Sequence, residues 1–346
     1  MDLKRLFAER AALVYGPSGA GKTVLISKVA FDFAKEGKRV LWITFNEGRD
    51  TLQETWRSFG WRPEEIVVYD FPFVPQYRET LFNQVVDLAY KERAEVFVVD
   101  GVEAMVFDRA SADALTKIGL FSIIGIEAKY NPLGDIADVI IKMEAKYTTY
   151  AAIRRLKIQK ARGLEVSKPI YYLAMLPTGP VLLSDEHVPS GEHRHVPPPG
   201  LLAHLVKEVP QGTQIAVYGP HQRLSAAVVD SHNSVAYVHK PHQLEFFRKA
   251  ETHVVSPMEH MRLEHYAQKI ISQYIITLDA EQIPRWLRRF REPKAVWVDI
   301  YTTPPDATSY DYVFYVDRGK IRVEHSPEPL QQVELPLQKL QHLSRL

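Results

Sequence analysis

The sequence predicts an α/β protein with two mainly parallel sheets in tandem, each covered by helices on both faces. Three observations carry that expectation. Apolar strand-like runs alternate with amphipathic helix-like runs along both halves of the chain. A G-x-x-x-x-G-K-[ST] loop at residues 16 to 23 lies between a strand and a helix, and its opening, Y-G-P, returns at 218 to 220 without the remainder. Strands alternating with helices at this spacing are joined by right-handed crossovers, which bury the sheet on both sides.

Residues 11 to 16 (AALVYG) read as a short buried strand. In the helix expected over 21 to 36, Val24, Leu25, Val29, Phe31 and Phe33 supply the apolar positions, and Gly37 is placed to end it. Strand 38 to 45, helix 49 to 59, strand 65 to 71, helix 78 to 93 and strand 94 to 100 continue the alternation. Strands at 121 to 128 and 137 to 145 follow, then hairpin strands reaching 169 to 176. The stretch SDEHVPSGEHRHVPPPG, 184 to 200, has proline and glycine without apolar periodicity and reads as an extended linker. It separates a first domain, 1 to 183, from a second, 201 to 346. There, strands are expected at 213 to 219, 234 to 240, 273 to 278, 295 to 301 and 311 to 317, with helices at 242 to 250 and 280 to 291.

A length of 346 residues suits two domains, taking roughly 150 residues as a unit. Hydrophobic residues at 46% and charged residues at 25% are those of a globular chain. A net charge of +1 supplies no overall attraction to nucleic acid or to an anionic membrane. The absence of cysteine excludes disulfides, thiolate metal ligands and cysteine nucleophiles, and together with 23 prolines suits a heat-adapted source. The first residues, MDLKRLFAERAALVYG, are broken by charges and read as neither signal peptide nor membrane span, so a cytoplasmic location is expected.

The loop carries the chemistry. Glycines permit the positive φ that turns several backbone N–H groups toward one phosphate, and the following helix N-terminus adds partial positive charge. Gly16, Ser18, Gly19, Ala20, Gly21, Lys22 and Thr23 therefore form the expected ATP cradle. Lys22 is placed for the β- and γ-phosphates and Thr23 for Mg²⁺. Asp100, closing the strand VFVVD, is the carboxylate expected to support the same Mg²⁺.

The segment TFNEGRDTLQETWRSFGW, 44 to 61, resembles the KaiC-type branch of the RecA-like ATPases, in which T-F-E-E ends the second strand and S-F-G-W ends the next helix. The resemblance runs from residue 16 to about 185 and implies a RecA-like P-loop domain binding ATP and Mg²⁺. It implies that the paired glutamates polarise the attacking water, and here Asn46 and Glu47 hold those places, leaving Glu47 as the candidate catalytic carboxylate. IQKARG, 158 to 163, resembles the family's K-x-R motif, which implies that Lys160 and Arg162 reach a neighbour's γ-phosphate across a subunit interface. An amide accepts no proton, so slow or absent hydrolysis is expected, with nucleotide state governing self-assembly or a protein partner. A DNA-handling motor is the alternative, motivated by the basic segment IPRWLRRFREPK at 283 to 294, although a solvated amphipathic helix explains that segment more simply.

Matched on Y-G-P without gaps, Gly21, Lys22 and Thr23 face Leu224, Ser225 and Ala226, and Asp299 matches Asp100. The second domain is thus expected to be a degenerate RecA-like copy without a working phosphate loop.

Overall fold

A computed structural model of the chain describes residues 3–72, 75–148, 151–166, 168–183, 194–268, 272–330 and 332–336. The chain divides into two compact units, Met1–Ser184 and Asp185–Leu346. The first opens with α1 (Leu3–Phe7), whose Leu6 and Phe7 are buried. Then come β1 (Ala11–Tyr15), α2 (Lys22–Lys35), β2 (Val40–Thr44), α3 (Arg49–Ser58), β3 (Val67–Asp70), α4 (Arg78–Lys91) and β4 (Val96–Asp100). They are followed by α5 (Arg109–Thr116), β5 (Ser122–Glu127), α6 (Leu133–Ile136), β6 (Val139–Tyr147), β7 (Ala152–Ala161), β8 (Ile170–Leu176) and β9 (Gly179–Leu183).

The sheet order is β3-β2-β4-β5-β1-β6-β7-β8-β9, parallel from β3 to β6 and antiparallel from β6 to β9. Every residue of β2, β4 and β5 is buried, as a sheet covered on both faces requires. On one face Val14, Trp42, Val98 and Ile126 pack with Leu25, Val29 and Trp56. On the other, Leu13, Ile43, Phe97 and Val99 pack with Leu81, Val85 and Leu115.

The second unit contains β10 (His195–Val196), β11 (Val209–Pro210), β12 (Gln214–Tyr218), α7 (Gln222–Val229), β13 (Ser234–Val238), β14 (Glu251–Val254), α8 (Pro257–His260) and α9 (Leu263–Ala267). It ends with β15 (Tyr274–Thr277), β16 (Val296–Tyr301), β17 (Tyr312–Val316), β18 (Lys320–His325) and β19 (Glu334–Pro336). Its main sheet runs β14-β13-β15-β16-β12-β17-β18-β19. That is the order of the first eight strands of the first sheet, place by place, with β12 standing where β1 stands and β16 where β5 stands; β9 has no counterpart among the described residues. Two mainly parallel α/β sheets of one RecA-like topology are therefore present, as the sequence predicts.

Register sharpens the correspondence. Gly16 N donates to Glu127 O at 3.2 Å, and Gly219 N to Tyr301 O at 3.3 Å. A Cβ at Gly16 would overlap the Met143 carbonyl, and one at Gly219 would overlap the Val316 carbonyl. Both glycines are required because a neighbouring strand occupies the side-chain position.

The same register corrects two expected matches. Leu13 pairs with Gly125 in β5, and Ala216 pairs with Asp299 in β16, so Asp299 replaces Gly125 rather than Asp100. The place of Asp100 falls one residue beyond Thr277, at Leu278, since Thr277 pairs with Asp299 whereas Val99 pairs with Gly125. The loops also differ in length. Five residues, 17 to 21, separate Gly16 from α2, but only Pro220 and His221 separate Gly219 from α7. The ungapped match to Leu224, Ser225 and Ala226 therefore fails: three residues are missing from the second loop.

The helices expected at 242 to 250 and 280 to 291 are instead short 3₁₀ turns, Pro241–Phe246, Ala280–Gln282 and Arg285–Phe290. The buried Asp230 carboxylate accepts the backbone N–H groups of Arg248, Lys249 and Ala250 (2.8 to 3.1 Å), which holds that stretch out of a helix. Arg288 and Arg291 are buried against Asp299, the Arg291 Nη2 lying 2.7 Å from Asp299 Oδ1, and Tyr310 Oη donates to Asp299 Oδ2 at 2.6 Å. Segment 283 to 294 is thus not the expected amphipathic helix: Arg288 and Arg291 are buried, whereas Arg285, Arg289 and Lys294 are exposed, Arg285 in an ion pair with Asp306. Of the stretch expected as linker, 184 to 193 lies outside the described residues, whereas Val196 is buried in the second unit's core and pairs with Val209.

One sheet face distinguishes the units. Ile43 and Val99 in the first are replaced, register for register, by Tyr237 and Thr277 in the second, alongside Asp299. Next to this face His239, His260 and His265 pack edge to face with ring centroids 5.0 and 4.4 Å apart, and their Nε2 atoms are buried without hydrogen-bond partners. Burial first, then the neighbouring His265, His239 and Arg291, lowers the pKa of His260 to about 2. Burial, with Arg291 against an opposing Glu259, lowers that of His265 to about 4.

Two expectations follow for stability. Gly219→Ala destabilises the second unit by about 1–3 kcal/mol, and chemical denaturation of the full chain measures the loss. Because the folded imidazoles refuse protons that unfolded ones accept, stability falls as pH drops from 6.5 toward 4, at about 1.4 kcal/mol per pH unit for each imidazole. Hydrogen exchange at pH 7 and pH 5 should show β13 and β15 losing protection before β2 and β4.

Candidate functional site

The phosphate loop leaves β1 at Gly16 and enters α2 at Lys22. Gly19 (φ 78°) and Gly21 (φ 88°) occupy the left-handed region, and Gly21 caps α2 in that conformation. This geometry is cheap only for glycine. A side chain at Gly19 would overlap the Tyr147 hydroxyl, and one at Gly21 would come within 2.6 Å of Met175 Cε. The β6 and β7 strands thus close over the loop, and Arg154 Nε donates to the Gly19 carbonyl at 3.2 Å.

Lys22 folds back so that its Nζ donates to the carbonyls of Gly16 (2.7 Å) and Pro17 (3.0 Å). Burial lowers its pKa, opposed by the carboxylates of Asp100 and Glu127. Parallel pairing of β4 with β2 and β5 brings Asp100 to the same sheet end. Its Oδ2 accepts from Thr23 Oγ1 at 2.9 Å and its Oδ1 from Asn46 Nδ2 at 3.1 Å. Asp100 is 3% exposed. Burial raises its pKa, while Asn46, Thr23 and Lys22 pull it back toward the ionised form.

Glu47 lies at the exposed surface of this end, its backbone N–H donating to Thr44 Oγ1 at 3.1 Å. Partial burial of its carboxyl, then repulsion from Asp100, raises its pKa. Two residues not expected from sequence join the site. Glu127 ends β5 beside Gly16; its carboxylate accepts the N–H groups of Ala128 and Glu103, and burial raises its pKa. Asn46, expected only as a missing base, is the tether of Asp100. The signal for Glu127 was a lone acid closing an apolar strand, legible only once β5 is known to adjoin β1.

Lys160 and Arg162 are not brought to the loop within one chain. Lys160 pairs with Ile140, and Arg162 forms an ion pair with Asp138 at 3.1 Å, at the end of β6 that adjoins Ala12 rather than Tyr15.

These residues fit a magnesium nucleotide. The loop's glycines keep a cradle that a Cβ would fill, one lysine ammonium is held by carbonyls alone, and a hydroxyl stands 2.9 Å from a carboxylate. Mg²⁺ demands few protein ligands when phosphates and waters supply the rest. Among the described residues no group of three or more His, Asp or Glu side chains is arranged to hold a metal by itself.

The corresponding end of the second unit is filled from within. Asp279, in the left-handed conformation that Gly101 takes after Asp100, accepts from Gln222 and from the buried Gln243 (2.8 Å). The first helical residue, Gln222 rather than lysine, is thereby committed to a structural bond.

No helix among the described residues is long and apolar enough to cross a membrane. No curated protein matches the chain. Residues 3–70, from α1 through β3, match the family model described as ATPase: KaiC, a stretch that contains the loop and the T-F-N-E and S-F-G-W segments. The first unit is therefore similar to the KaiC-type, RecA-fold P-loop ATPases, as those segments imply.

Proposed function

We propose that this chain binds MgATP at the 16–23 loop and turns it over slowly or not at all, so that nucleotide occupancy governs self-assembly or a protein partner. The observation that carries this reading is the Thr23–Asp100–Asn46 chain of hydrogen bonds. It supplies a hydroxyl and an oriented carboxylate for Mg²⁺, which would screen the phosphate charge, yet puts an amide where a base is needed. Lys22 would exchange two neutral carbonyl acceptors for anionic phosphate oxygens, a gain because both partners of the bond would then carry charge. The Gly19, Gly21 and Lys22 N–H groups orient the tail, and Tyr147 with Arg154 restricts water above it.

Removing a general base costs about 10²- to 10⁴-fold in rate. Glu47 is the carboxylate left at the paired-glutamate position, and burial with repulsion from Asp100 raises its pKa toward the range a general base needs, so any residual turnover is assigned to it. In this reading Lys160 and Arg162 act only in trans: a neighbouring chain would draw Arg162 from Asp138 to a γ-phosphate, tightening the interface while ATP is intact. The second unit, lacking three loop residues and the magnesium carboxylate, takes no part in nucleotide chemistry.

Calorimetry with MgATP should show saturable binding that Lys22→Ala abolishes; equal, negligible binding by parent and variant defeats the proposal. Asn46→Glu should raise steady-state phosphate release by about tenfold or more while weakening MgATP affinity, since it adds a negative charge beside Asp100. An unchanged rate would show that position 46 does not limit turnover.

A further inference from the structure

The second unit contains a cleft of about 460 Å³ between α7, the 200–204 turn and the 241–249 segment. Its floor is apolar: Leu201, Ala227 and Phe246 are partly buried against the unit's core. Its rim is basic, formed by the exposed side chains of Arg223, Arg248 and Lys249 with Glu245 as the one exposed acid. Among the described residues, none of these three cations has an ion-pair partner. The other carboxylate in the lining, Asp230, is buried and committed to the backbone N–H groups of Arg248, Lys249 and Ala250.

Both walls are fixed in place. Gly200 adopts φ 60°, and a Cβ there would overlap the Val228 carbonyl, so the 200–204 turn sits directly on α7. Asp230 at the end of α7 pins the opposite wall through three N–H groups. A cleft that needs no rearrangement keeps the free energy otherwise spent on ordering. An apolar floor under a rim of unpaired cations complements a chain segment with the inverse pattern.

We propose that this cleft is a docking site for an acidic segment of a partner protein, anchored by an aromatic or aliphatic side chain on Leu201, Ala227 and Phe246 and flanked by carboxylates paired with Arg223, Arg248 and Lys249. The apolar anchor supplies the affinity, as buried anchors do in protein interfaces. The cations set the sign of the partner and its encounter rate. The volume lies at the lower part of the range typical of ligand clefts, about 300–1,000 Å³, which suits one or two anchoring side chains. The site stands apart from the nucleotide reading, because no residue in it belongs to the phosphate loop or its carboxylates.

Selection of a phage-displayed random-peptide library on the full-length chain, without nucleotide, tests the proposal. The expected outcome is enrichment of peptides combining one or two large apolar residues with flanking Asp or Glu. A synthetic, fluorescein-labelled copy of the most enriched peptide should bind less tightly as salt rises from 50 to 500 mM. Arg223→Glu and Arg248→Glu should each weaken it by about tenfold, whereas Glu245→Lys should tighten it, a gain that misfolding cannot produce. Lys22→Ala should leave it unchanged, which separates this site from nucleotide binding. Enrichment of basic or uncharged peptides, or affinity indifferent to all three rim substitutions, overturns the proposal.

Discussion

In each unit a carbonyl oxygen presses into the space that a side chain would need at the residue following the first strand of the repeat. Met143 does this to Gly16 and Val316 to Gly219, because the adjoining parallel strand carries on past that point. This contact decides where the chain can leave the sheet and forces glycine there whatever follows. The difference between the two loops begins one residue later. Five residues with left-handed glycines give the first unit a loop whose amides converge; two residues give the second an immediate helix. The surviving Y-G-P of the second unit is a packing requirement rather than a residue of ligand chemistry.

A second contrast concerns buried charge. Around the first loop Asp100, Glu127 and Lys22 are held without being fully neutralised by one another, and burial displaces the pKa of each toward its uncharged form. Such a site is completed by an external partner carrying charge of its own, and a magnesium nucleotide brings both signs. In the second unit buried polarity is spent internally. Gln222 and Gln243 occupy Asp279, and Arg291, Arg288 and Tyr310 occupy Asp299. Breaking one member of such a buried cluster is costly even where the whole adds little net stability. Loss of the phosphate loop and gain of an interior polar layer are thus two aspects of the same remodelled sheet end.

Asn46 joins these threads. The resemblance to KaiC-type ATPases makes position 46 a glutamate, and the change to an amide suggests loss of a base. The structure adds that the amide donates to Asp100, so the substitution also orients the carboxylate beside Thr23. In the proposed function, binding geometry is retained where proton transfer is given up. That combination suits a protein that holds a nucleotide to stabilise a conformation rather than to drive a cycle.

The alternation of strands and helices in the first unit, the G-x-x-x-x-G-K-T loop and the strand-ending Asp100 were legible in the chain alone, because each rests on local rules: apolar periodicity, glycine spacing and an acid closing a strand. The repeat of sheet order could be suspected from Y-G-P, yet strand pairing assigned Asp299 to the place of Gly125, since pairing depends on neighbours far apart in the chain. Local spacing also failed at 283 to 294, where Arg288 and Arg291 are drawn inside by Asp299 while Arg285 and Arg289 stay exposed. Glu127 stayed hidden because its meaning comes from the strand beside it. Pattern reports what a segment can bury by itself; which opposite charge or carbonyl awaits it is settled only when distant strands come together.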